Sequence, residues 1–139
     1  MKAKLTGFTI VAALAAVLFA QTSRSVWDGV YTDEQAKRGK AAYSAQCAMC
    51  HGEDLMGSDE TPALTGGAFL ANWTSLSVND LFERVRVSMP ANNPGHLTRQ
   101  QDADILTWIF AFNKFPPGTK ELPTQGESLK QIRIDASKP

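Results

Sequence analysis

Charge of one sign is what this sequence most plainly lacks: 14 Lys and Arg offset 14 Asp and Glu across 139 residues. Without a net basic field there is no global attraction for a polyanion, so nucleic acid is not an expected partner. Cysteine and histidine are scarce, with two of each. A long apolar run is also missing, since the stretch Ile10 to Ala20, preceded by Thr6, Gly7 and Thr9, falls short of the ~20 residues a membrane span needs. No internal repeat, Gly-rich phosphate loop or Ser/His/Asp set stands out. At this length one domain of ordinary size fits, with a leader and a tail, and a second folded domain does not.

The beginning of the chain reads as an export signal over 1–20. Lys2 and Lys4 supply the positive start, Ile10 to Ala20 the apolar run, and Ala20 a small residue at the cleavage point, so that the mature chain begins near Gln21. An uncleaved anchor is the alternative, disfavoured by the shortness of the run. Taking Lys2 and Lys4 from the 14 basic side chains leaves 12 against 14 acidic, a mildly acidic product. The expected location is periplasmic or otherwise exported, with no stable membrane span after cleavage. The expected organisation then continues with a lead-in over 21–31, a single domain over 32–113 and a Pro-rich tail over 114–139.

Two cysteines in an oxidising compartment would ordinarily pair. Their spacing argues otherwise. Cys47-Ala48-Met49-Cys50-His51 is the C-x-x-C-H pattern of covalent haem attachment. Positions three apart near a helix end share one face, which lets two thiols reach the two vinyl groups of one porphyrin and sets His51 under the iron as proximal ligand. A thioredoxin-like redox pair needs a βαβ setting, and no strand alternation flanks this segment. A structural zinc site needs a further ligand pair, and the other histidine is His96 alone.

The sixth iron ligand decides function, because an iron filled on both sides is usually an electron carrier and an open one a catalyst or gas binder. Met49 sits inside the attachment turn and cannot reach round the ring. Met56 follows His51 too closely. Met89, in Val87-Ser88-Met89-Pro90, precedes a proline that ends a helical pattern and is the expected ligand. His96, in the turn-rich Asn92-Asn93-Pro94-Gly95-His96, and an open position are the alternatives, as is a packed core role for Met89.

Helix signals surround this stretch. Thr32-Asp33-Glu34-Gln35 and Thr98-Arg99-Gln100-Gln101 read as capping boxes, opening one helix that runs to the attachment turn and another that runs to about Asn113. Ser77 and Asp80 mark a helix start between them, with Leu81, Phe82 and Val85 inward and Glu83, Arg84 and Arg86 mostly solvated. Ile105, Trp108, Ile109 and Phe112 recur at helical spacing, and their face is expected to pack across the first helix at Gly39, where a mid-helix glycine implies close approach. Gly52 to Leu76 reads as loops with at most a short helical turn. Beyond Lys114 the tail is either an extended strap, partly docked, or disordered.

These residues resemble the class I monohaem cytochromes c, over roughly Thr32 to Asn113, on Cys47-Ala48-Met49-Cys50-His51 followed by Met89-Pro90. The resemblance implies an all-α fold with its first and last helices crossing, at Gly39 and Tyr43 against Ile105 and Trp108, around one covalently bound haem c. It implies that Pro62, in Thr61-Pro62-Ala63-Leu64, accepts the N–H of His51, that Leu64 packs on the ring, and that Trp73 is either a propionate-binding aromatic or a plain core tryptophan. The flanks Ser25 to Thr32 and Leu122 to Ile134 are similar to cytochrome c domains found with bacterial dehydrogenases that use pyrroloquinoline quinone, which suggests such an enzyme as electron donor. The implied activity is an electron carrier between a redox protein donor and acceptor rather than an enzyme. A peroxidase- or reductase-like haem enzyme and a ligand-binding haem sensor are the alternatives, and the first lacks an evident distal acid or base.

Overall fold

The computed structural model describes residues 23–139, so the expected leader over 1–20 lies outside the described residues. In chain order come a two-residue strand β1 (Arg24–Ser25), a 3-10 turn (Val26–Asp28) and the helices α1 (Asp33–Gln46), α2 (Ala48–His51), α3 (Gly66–Trp73), α4 (Val78–Ser88), α5 (Arg99–Phe112) and α6 (Gly126–Leu129). Strand β2 (Ile132–Arg133) follows. The architecture is the expected all-α one. Helices α1 and α5 make the most extensive packing in the molecule, and Tyr31, Tyr43, Phe69, Phe82 and Phe110 fill the core around them.

Short polar side chains start the three long helices, as their sequences predict. At α4 and α5 the boxes are complete: Ser77 and Asp80, and Thr98 and Gln101, satisfy each other's backbone N–H groups. At α1 only half of the box forms. Thr32 Oγ1 accepts from Gln35 N at 3.1 Å, but the Gln35 amide turns away. It is fully buried, donates from Nε2 to Leu122 O at 3.2 Å and accepts from Leu122 N at 2.6 Å. The tail therefore takes the side chain that local sequence would assign to the cap. Gln35→Ala leaves both Leu122 backbone groups buried without a partner, and we expect it to cost about 2–3 kcal/mol. Urea denaturation checks this; an unchanged midpoint would show that the tail docks without Gln35.

The crossing of α1 and α5 is closer than side-chain packing allows. A Cβ built on Gly39 would lie 1.8 Å from Asp104 O and 3.2 Å from Trp108 Cβ. At Gly39 the approach is thus to the Asp104 backbone and to Trp108, one of the two α5 residues expected at the crossing; the other, Ile105, is buried in the core. Because backbone atoms block the space, even Gly39→Ala must push the helices apart; we expect a loss of about 3 kcal/mol by overpacking, read from the denaturation midpoint. Arg38 clamps the same crossing from outside, donating to both oxygens of Asp104 and to Glu121.

One expectation needs correction, and one pair of alternatives is decided. The segment read as loops contains an eight-residue helix, α3, whose first N–H is satisfied from a distance: Asn113 Oδ1 accepts from Gly66 N at 3.0 Å, while Thr65 offers no side-chain cap. For the tail, the docked alternative holds and disorder does not, and the docking is more extensive than a partly docked strap. It buries Phe115, Leu122, Leu129, Ile132 and Ile134, and β2 pairs in parallel with β1, Arg24 opposite Ile132 and Ser25 opposite Arg133. Tyr31 OH donates to Phe115 O at 2.5 Å and Trp27 Nε1 to Asp135 O at 3.0 Å. Lead-in and tail are therefore packed with the helices in one unit.

Candidate functional site

Helix α1 ends at Gln46 and delivers Cys47, whose N–H still donates to Tyr43 O at 2.7 Å. The Cys47 backbone leaves the helical line at φ −123°, ψ −35°, and α2 starts afresh from it. Cys47 O accepts from both Cys50 N (3.1 Å) and His51 N (2.9 Å), so the two thiols and the imidazole belong to one tight turn. Both thiols are free, Cys47 half-buried and Cys50 exposed. Tyr43 OH donates to Gly52 O at 2.8 Å and pins the end of this turn to α1.

His51 is buried, and its Nδ1 lies 3.0 Å from Pro62 O. A carbonyl can only accept, so Nδ1 carries the proton and the Nε2 lone pair of the neutral ring is left for a metal. The loop that brings Pro62 there is tightly specified. Gly57 N donates to His51 O at 2.9 Å and Ser58 N to Thr61 O at 2.8 Å. Gly57 has φ +68°, and a Cβ on it would lie 2.1 Å from Thr61 O, so only glycine closes this loop without displacing Pro62. Leu64 is half-buried, donating from N to Leu55 O and accepting at O from Asn113 Nδ2. Trp73, the last residue of α3, is half-buried against the core.

Met89 caps α4. Its N–H donates to Val85 O at 2.9 Å, but its backbone has gone extended at φ −121°, ψ 154°, and it is half-buried. His96 is exposed, with Nδ1 2.8 Å from Asn93 O. Met49 and Met56 are the most exposed large apolar side chains described, at 85% and 60%. The turn with its thiols, the imidazole and Pro62 is brought together as one site; His96 is tied to its own loop.

The electrostatics argue against thiol redox chemistry. Burial first, then the negative charges of Asp102 and Cys50, push the Cys47 thiol up to about 11. Redox-active cysteines have their pKa lowered instead, to make thiolate at neutral pH. Among the described residues no three His, Cys, Asp or Glu side chains gather to hold a bare metal ion, which leaves the zinc reading without a ligand set. One group that sequence reasoning missed is Asp102, buried on α5, whose charge acts on this turn through the Cys47 thiol. The signal for it was available, because Asp102 sits at the i position of Asp102, Ile105, Leu106 and Ile109 on the buried face of α5.

A small helical fold that presents two free thiols and an oriented imidazole on a C-x-x-C-H turn defines a c-type cytochrome of class I, with haem c as its covalently bound cofactor. The chain belongs to the family described as cytochrome c oxidase, cbb3-type, subunit III, which it matches over residues 34–109, more than half of its length. No curated protein matches the chain. Among solved structures it is similar to a chain of the sulfane dehydrogenase SoxCD from Paracoccus pantotrophus, at 17% identity and a TM-score of 0.52, over 94% of this chain and 68% of that one. At that identity the likeness is one of fold. Haem-based electron transfer, with redox proteins as partners, follows from the family. No helix among the described residues is long and apolar enough to cross a membrane.

Proposed function

We propose that this chain is an exported carrier of single electrons, with His51 and Met89 as the two axial ligands of its haem iron. The observation that carries the reading is the His51–Pro62 hydrogen bond, which fixes both the tautomer and the ring orientation a proximal ligand needs. When bound, haem c supplies a one-electron ferric/ferrous couple. Cys47 and Cys50 provide the two covalent anchors, and Tyr43, through Gly52, keeps the turn from shifting between redox states. Met89 supplies a thioether from a backbone position no longer bound to helical geometry, and thioether ligation favours the ferrous state.

Export is supported by the leader-like segment over 1–20 and by the attachment chemistry. The donor in this reading is a dehydrogenase, and the resemblance of the flanks points to a quinoprotein one that uses pyrroloquinoline quinone. The test is the optical spectrum of protein matured in an exporting host. Two thioether bonds in the pyridine haemochrome and a methionine-to-iron charge-transfer band in the ferric form support the proposal. A bis-histidine or high-spin ferric spectrum contradicts it.

A further inference from the structure

Asp102 is 1% exposed, and among the described residues neither of its carboxyl oxygens has a hydrogen-bond donor. Asp104, also buried, shows what ordinarily accompanies such burial: Arg38 and Gln100 donate to it. A buried carboxyl without donors favours its neutral form, because protonation removes the charge that solvent and partners do not stabilise. The helix it occupies, α5, packs on α1, the helix that ends at Cys47, and the charge of Asp102 is among the influences that push the Cys47 thiol up. Cys47 is a point of haem attachment, so a charge on this carboxyl is felt at the cofactor's anchor.

The groups facing Asp102 come from each element around it. Arg86 and Glu83 are on α4, His96 on the loop before α5, Arg99 on α5 itself and Cys47 at the end of α1. Of the α1 cations, Arg38 pairs with Asp104 and Lys40 lies over the Trp108 ring. Burial is the largest influence and pushes Asp102 up to about 6, against the pull of Arg86, Arg99 and His96. A carboxyl poised there changes charge within the range in which exported proteins work.

We propose that Asp102 is a proton-binding site coupled to the haem electron, taking up a proton from solvent on reduction and releasing it on oxidation. For each electron that the redox donor delivers to the ferric iron, up to one proton passes from a solvent hydronium ion to a carboxylate oxygen of Asp102, so that one O–H bond of the hydronium breaks, leaving water, as the O–H bond on Asp102 forms. The coupling is Coulombic. Ferric iron carries one more positive charge than ferrous iron and holds the carboxylate ionised more strongly, so the carboxyl pKa is lower in the oxidised protein. By reciprocity, protonated Asp102 raises the potential, which therefore falls as pH rises between the two pKa values.

This inference rests on the haem electron-carrier reading, and a spectroelectrochemical titration of the holoprotein from about pH 4.5 to 8.5 separates the two. We expect the potential of the unaltered protein to fall with pH around Asp102's range by up to ~59 mV per tenfold change in proton concentration. Asp102→Asn should abolish that slope with the absorption spectrum unchanged, and His96→Ala should keep it. A slope that survives Asp102→Asn, or vanishes in His96→Ala, overturns the proton site; absence of any reversible one-electron wave fails the carrier reading instead. Redox difference infrared spectra of the unaltered holoprotein give a readout that needs no variant. A protonated-carboxyl band appearing on reduction is the expected result, and no such band overturns the proposal.

Discussion

Replacing both Cys47 and Cys50 with Ser yields a chain with no covalent haem, and either single change yields at most one thioether link. The effect is total for the cofactor because no other cysteine exists in the sequence. Its structural reach is uneven. The attachment turn has little apolar cover of its own, with Met49 85% and Met56 60% exposed, and the loop over 52–64 is closed by backbone hydrogen bonds within itself and tied to that turn by those from Gly52 N to Ala48 O and Gly57 N to His51 O. By contrast α1, α5 and the tail share a core of fully buried aromatic and aliphatic side chains. Amide exchange should therefore show protection lost over α2 and the following loop and retained at the α1–α5 crossing. A double variant still carrying haem through denaturing electrophoresis contradicts the attachment assignment.

Met89→Ala is expected to lower the reduction potential by about 0.2 V, within the ~0.8 V over which axial ligands tune haem. Loss of the thioether removes the ligand that favours ferrous iron and admits water. Met89→His should also lower the potential while keeping the iron six-coordinate, since imidazole donates more strongly and stabilises the ferric state. Two controls bracket the assignment. Met56→Ala should change neither potential nor charge-transfer band, because Met56 follows closely after the proximal ligand and projects into solvent. His96→Ala should leave the spectrum alone, because its ring is held by Asn93 O on an exposed loop. Loss of the band in Met56→Ala with its survival in Met89→Ala would reverse the assignment.

How much of this was legible in the sequence follows from how local each interaction is. The C-x-x-C-H turn, the Ser77 and Thr98 caps and the demand for glycine at position 39 depend on residues within a few positions or on a missing side chain, and they can be read directly. Helix α3 could not be, because its first N–H is capped by Asn113, 47 residues away. The Gln35 amide looks like a local cap for the same reason: nothing nearby in sequence shows that Leu122 competes for it. The tail's docking depends on a parallel pairing of two-residue strands from opposite ends of the described chain, too short to carry an alternation signal. Asp102 is different in kind. Its place on an apolar helical face was visible, but only the packed structure shows that no donor meets it there.

The central claim, a six-coordinate haem iron held by His51 and Met89 in an electron carrier, is tested most directly by exposing the ferrous holoprotein to carbon monoxide. A carrier with both axial positions filled by protein should keep its ferrous spectrum, while Met89→Ala should bind the gas and shift its Soret band. Binding by the unaltered protein as readily as by Met89→Ala would contradict the account. The distal position would then be open, and the site would belong to a haem enzyme or a gas sensor.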